Sequence, residues 1–182
     1  MGAYKFKRSG VTTVEEVNQM LPKLPEKVGV IMVLLYLLGF RISEALKLKR
    51  EDFELENGNL KVTIQLSKKR DHSSSPYALG HILRVKLDSP FVKDIILPFL
   101  DKQNSGELLF PYKRQSIEYF FHKASPKISP HIFRKDRLTK LTREGASEFE
   151  LQDFAGWADA RPANHYVTMD GRLAAKFADK IK

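Results

Sequence analysis

The sequence has no cysteine and only one tryptophan among its 182 residues. Without cysteine, disulfides and thiolate metal sites are excluded. A long apolar run is also missing. The longest, VGVIMVLLYLLGF from Val28 to Phe40, falls well short of the roughly 20 residues a helix needs to cross a bilayer, so it reads as a buried core helix. The N-terminus lacks the charged-then-apolar pattern of a secretory signal, and the expectation is an intracellular protein with no membrane partner. There is no glycine-rich phosphate loop and no His-Glu-x-x-His pair. The acids Asp88, Asp94 and Asp101 read as ordinary helix surface rather than a two-metal cluster. No cofactor or metal is therefore expected.

Basic residues are in excess. Against 22 Asp and Glu stand 31 Lys and Arg, a formal charge of +9, which favours a polyanionic partner; charge alone does not choose between nucleic acid and an anionic membrane surface. The length suits one domain with a sizeable core.

Local patterns place the elements. Thr12 or Thr13, followed three places on by Glu15 or Glu16, makes a capping box for a short helix ending near Pro22. A second helix spans Glu26 to Leu38, and RISEALKLKRED restarts a third after Gly39, breaking near Phe53. In GNLKVTIQL, Leu60, Val62, Ile64 and Leu66 alternate with Lys61, Thr63 and Gln65, the period of a half-buried strand. HILRVKL supplies its hairpin partner across the serine-rich tip SKKRDHSSSPYALG. Ser89-Pro90 and Ser129-Pro130 each read as a cap followed by a proline in the first helical turn, with Pro98 kinking or ending the first of these helices. A further helix runs from about Gln115 to Lys123, and Ser147 and Gly156 bracket another. ADARPANHYVTMDG reads as a short polar segment between breaks. In the tail, Asp170 can cap a helix in which Leu173, Phe177 and Ile181 recur every four residues, a stripe that must dock on something to be stable. The fold class is α+β, mainly α-helical, with one small antiparallel sheet.

Several of these elements carry residues suited to an anionic ligand. His131 and Arg134, three apart, share a helix face; a solvated polar edge is the ordinary alternative. Arg41 stands at the first turn of a helix, where an anion is favoured, and Glu44 three residues on is its ordinary ion-pair partner. Both roles can hold together. Continuing the strand period puts Lys68 on the inner side and Lys69 on the outer one, with a solvated turn lysine as the alternative.

In order along the chain, LLGFRISEALKL, Lys68, SPHIFR and FAGWADARPANHYV resemble the blocks of the tyrosine recombinases, the phage-integrase family, from about Thr12 to Lys182. The resemblance implies a recombinase catalytic domain over 12–170, an arm or linker at 1–11, and a C-terminal helix at 171–182 that docks on a neighbouring protomer or on its own domain. It implies cleavage and rejoining of double-stranded DNA through a 3′-phosphotyrosine on Tyr166, with Arg41, Arg134 and Trp157 around the phosphate, His131 as base and Lys68 as general acid, Lys69 being the runner-up. It also implies other copies of the protein assembled on DNA as partners. Two positions depart from the common pattern. Lys135 follows Arg134 where many members have His, and Trp157 stands where His is commoner. An indole N–H can donate a hydrogen bond but cannot act as a base, so only a donor role survives there. The alternatives are a type IB topoisomerase-like relaxing enzyme and a non-catalytic DNA-binding protein on the same scaffold.

Overall fold

The computed structural model describes residues 11–65 and 80–167. It is mainly helical with one three-stranded antiparallel sheet, the class the sequence implies. The chain divides into two compact units, Met1–Arg137 and Leu138–Lys182.

In the first unit, α1 (Val14–Met20) starts at Thr13, whose hydroxyl accepts from the Glu16 N–H while the Glu16 carboxylate accepts from the Thr13 N–H. Thr12 is left for another role. Helix α2 (Glu26–Leu38) is the centre of the unit. Nine of its 13 residues are buried, as expected of a helix that is apolar all round. It stops at Gly39, whose φ of 63° lets the chain turn in the left-handed region while its N–H reaches back to the Leu35 carbonyl.

The third helix is much shorter than the sequence pattern implies. α3 covers only Ile42–Ala45, and a turn leads to a 3-10 segment at Arg50–Asp52. Tertiary pairing wins here: the Leu48 carbonyl accepts from the Leu109 N–H at 2.9 Å, Lys49 bridges Leu108, and Leu48 is buried. A continuous helix would have spent the Leu48 carbonyl internally.

The sheet also differs from the expected hairpin by an extra strand. β1 (Phe53–Glu56), β2 (Asn59–Ile64) and β3 (His81–Lys86) pair in that order, with Phe53 opposite Val62 and Ile64 opposite His81. Asn57 and Gly58, at φ 48° and 73°, make the tight turn between β1 and β2, with the positive φ pair that matches strand twist. Phe53, Leu60, Val62, Ile64 and Leu83 are buried, while Lys61 and Arg84 pair with Glu54 and Glu56. The alternation expected for Leu60, Val62 and Ile64 holds; Leu66, Lys68 and Lys69 lie outside the described residues.

A widened helical turn at Val92–Ile96 leads into α4 (Leu97–Leu100), consistent with the missing N–H of Pro98. α5 (Arg114–Ala124) and α6 (Pro130–Arg143) follow. Phe133 of α6 is buried and meets Tyr36 of α2 and Phe121 of α5 edge-on, at centroid distances of 6.4 and 5.8 Å.

The second unit takes over within α6. α7 (Glu148–Ala155) is capped by Ser147, whose N–H and hydroxyl both donate to Glu150, and ends at Gly156. α8 (Arg161–Val167) follows. Leu138, Leu151, Ala155 and Ala163 form this unit's core. No helix among the described residues is long and apolar enough to cross a membrane.

Candidate active site

Arg41, His131 and Arg134 belong to the first unit, Trp157 and Tyr166 to the second. In the first, the sharp exit from α2 is the organising feature. Gly39 turns the chain, Phe40 is buried, and Arg41 becomes the residue that precedes α3. Glu44 then grips Arg41 twice. Its Oε2 accepts from the Arg41 backbone N–H at 2.6 Å and its Oε1 from Arg41 Nη1 at 2.8 Å. The Glu44 side chain is 1% exposed and that of Arg41 32% exposed, so one edge of the guanidinium is fixed from the inside while the side chain keeps access to solvent. The ion pair anticipated as an alternative to ligand binding is thus compatible with it.

Arg134 reaches the same corner from α6. It is 7% exposed, and its Nη1 donates to the Gly39 carbonyl at 3.0 Å. Gly39 and Arg41 are two residues apart, so the tether draws the two arginines toward one place. A guanidinium carries five donors in a planar fork, a geometry suited to an anion. His131 lies on the first turn of α6, exposed, three residues before Arg134 on the same face.

In the second unit, Trp157 leaves α7 with its backbone held both ways by Gln152: its N–H donates to the Gln152 carbonyl at 3.0 Å, and its own carbonyl accepts from Gln152 Nε2 at 3.3 Å. Asp159 starts α8 by accepting from the backbone N–H of Arg161 at 3.0 Å, and it also holds that residue's guanidinium through Nε and Nη2. Tyr166 therefore sits on a helix, within the stretch that reads in the sequence as a short polar segment between breaks. Its ring stacks on the Trp157 indole with centroids 6.1 Å apart and planes 22° from parallel, both packed against the unit's core. Tyr166 is only half-buried.

The structure thus ties Arg134 to Gly39, two residues before Arg41, and stacks Tyr166 on Trp157, while Lys68 and Lys69 fall outside the described residues. Of two supports for the site, the sequence pattern gives one in part and misses the other. Glu44 is the expected ion-pair partner of Arg41, but it also holds the Arg41 backbone N–H, which the same Arg-x-x-Glu spacing signals. Asp159 accepts from the first N–H of α8, and the signal for that helix's start was Pro162 in its first turn.

Comparison with known proteins gives this arrangement a context. Residues 11–171 match the phage integrase family. The tyrosine recombinase XerA of Thermococcus kodakarensis is 25% identical over 177 residues, which cover 93% of this chain and 62% of that protein. Among solved structures, the XerH site-specific recombinase bound to difH in a pre-cleavage complex aligns with a TM-score of 0.67 at 18% identity, over 96% of this chain and 56% of that one. The catalytic domain of bacteriophage HP1 integrase aligns at 0.60 and 16% identity, over 96% of both chains. The fold is shared with these structures, and the chain spans about three fifths of the length of the XerA relative.

Proposed function

This chain belongs to the phage integrase family, and on that premise we propose that it is a site-specific DNA recombinase that cuts and rejoins DNA through Tyr166. The observation that carries the reading is the tether between Arg134 and Gly39, which draws Arg134 and Arg41 to one corner of the first unit. The transition state of phosphodiester attack carries extra negative charge on the non-bridging oxygens, and fixed donors around them supply most of the rate. Arg41 and Arg134 are two such donors, and the Trp157 indole N–H is a third.

The proposed reaction is an in-line exchange. The Tyr166 oxygen attacks the scissile phosphorus, its proton passing to His131 as the bond to the 5′ oxygen breaks. Phenol has an unperturbed pKa of about 10, so the positive field of the two arginines and a nearby base make the attack feasible at neutral pH. Lys68 protonates the leaving 5′ oxygen, with Lys69 the second candidate. The strand is left as a 3′-phosphotyrosine, and the reverse steps rejoin it to a 5′ hydroxyl. Because the covalent bond stores the energy for rejoining, this chemistry requires neither ATP nor a metal.

Double-stranded DNA and further copies of the protein are the proposed partners, and this places the protein inside the cell. The DNA reading has support on α5 and the residue preceding it, which present Lys113, Arg114, Gln115, Tyr119, His122 and Lys123 to solvent, groups suited to phosphates and base edges. The two DNA-bound XerH complexes and a lambda integrase dimer bound to a core site share the fold.

The test is covalent capture on a nicked synthetic duplex selected for binding from a randomised pool. The intact protein should leave an adduct on a denaturing gel. Tyr166→Phe should leave none while binding DNA nearly as well, since it loses a hydroxyl and no charge. An adduct in that variant would move the nucleophile to another tyrosine, Tyr112 or Tyr119 first. Binding without an adduct in the intact protein would favour a non-catalytic binder, and adduct formation without strand exchange between two sites a topoisomerase-like enzyme.

A further inference from the structure

α6 is held from two sides within the first unit. On one, Arg134 donates to the Gly39 carbonyl at 3.0 Å. On the other, Asp136 accepts two hydrogen bonds on a single oxygen, from the backbone N–H of Thr12 at 2.7 Å and from its hydroxyl at 2.5 Å. At about 100° per residue, positions 134 and 136 point roughly 200° apart around the helix axis. Thr12 is 6% exposed and Asp136 8% exposed, and they are 124 positions apart in the chain.

We infer that Asp136, clamped by Thr12, is a positioning residue that fixes the roll of α6 and thereby the placement of Arg134 and His131. The inference rests on the reading of those two as phosphate donor and base. Capping does not require the Thr12 hydroxyl, because Thr13 caps α1. Packing does not require a carboxylate either, because an apolar pair would fill the space without desolvating a charge. What a buried, directional pair adds is one defined arrangement. A roll of about 10° moves a side-chain tip ~6 Å from the axis by about 1 Å, and misplacement on that scale can cost about a hundredfold in rate. Thr12 immediately precedes Thr13, the cap of α1, so the start of α1 and the helix bearing His131 and Arg134 are joined through this pair.

The experiment measures adduct formation in single turnover at saturating protein, alongside the Kd for the same nicked duplex, in the full chain. Thr12→Val keeps the shape and removes the hydroxyl, while Thr12→Ser keeps the hydroxyl. Thr12→Val should slow cleavage about tenfold, with Kd within about twofold because no charge changes, and Thr12→Ser should cleave at nearly the intact rate. In an Asp136→Ala background, Thr12→Val should add little, since its acceptor is already gone. Should that background fail to fold, the two Thr12 variants decide alone. Equal rates for Thr12→Val and the intact protein, or equal slowing by Val and Ser, would overturn the clamp's catalytic role. If the intact protein forms no adduct, the reading of the site itself falls and takes this role with it.

Discussion

At the scale of single residues, the site rests on buried supports whose loss has two separable consequences. Arg41→Ala removes a proposed phosphate donor, which should slow cleavage by about a hundredfold or more. It also strands Glu44, 1% exposed, without its cation, which should lower stability by about 1–3 kcal/mol, less than for a fully buried pair because the Arg41 side chain is partly solvated. Adding Glu44→Gln should recover part of the melting temperature and none of the cleavage rate. Thermal unfolding and single-turnover cleavage on the same three proteins check this, and recovery of cleavage in the double variant would show that Arg41 acts only by neutralising Glu44. Sequence spacing was enough to pair Arg41 with Glu44. It could not anticipate that Arg134 would be tethered to Gly39, because 95 positions separate them and no local pattern records such a contact.

At the scale of elements, the helices bracketed by caps are where local chemistry and structure agree. Ser147 and Glu150 form the reciprocal box that opens α7. Hydrogen bonds from the Ser147 backbone and hydroxyl hold the Glu150 carboxyl below its ordinary pKa. A carboxylate depressed in the folded state contributes stability that is present above the unfolded carboxyl range and is lost as pH falls through the folded value. Glu150→Gln should therefore be less stable than the intact protein near neutrality, and the gap should close in acid. Unfolding curves at several pH values read this directly, and a gap that widens in acid would have the sign wrong. Ser147→Ala should cost about 1 kcal/mol. Where elements departed from the pattern, the causes differ. β1 was legible after all, in the Asn57-Gly58 turn signal and the alternation of Phe53 and Leu55 with Glu54 and Glu56. The early end of α3 was not, since it depends on the bridge between Lys49 and Leu108. At α8, Pro162 was read as a break when its place after Asp159 marks a start.

At the scale of the whole molecule, the proposed chemistry demands assembly, because strand exchange joins two DNA sites. The tail stripe of Leu173, Phe177 and Ile181 lies outside the described residues, and its docking on a neighbouring protomer stays a proposal. Truncation after Asp170, or Phe177→Asp, should leave the domain folded and single-site cleavage measurable while weakening protomer association on DNA and paired strand exchange. Sedimentation of protein–DNA complexes and a two-site exchange assay check the two halves of this expectation. If the truncated protein exchanges sites at the intact rate, with unchanged dependence on protein concentration, the tail is no assembly element.

The sequence by itself determined what depends on neighbours along the chain: the apolar α2, the alternation in β2, the capped starts of α1 and α7, the start of α6 at Pro130, and the order of blocks that marks Arg41, His131, Arg134, Trp157 and Tyr166 as candidates. These are legible because capping, periodicity and short spacings act within a turn or two of helix or strand. Only the tertiary structure decided that Thr12, not just Thr13, has a buried task, that α3 stops at Ala45, and that Arg134 and Asp136 hold opposite sides of one helix. Each of those outcomes is a hydrogen bond or backbone pairing between residues at least about 50 positions apart, formed because a buried polar group must find a partner wherever the fold supplies one.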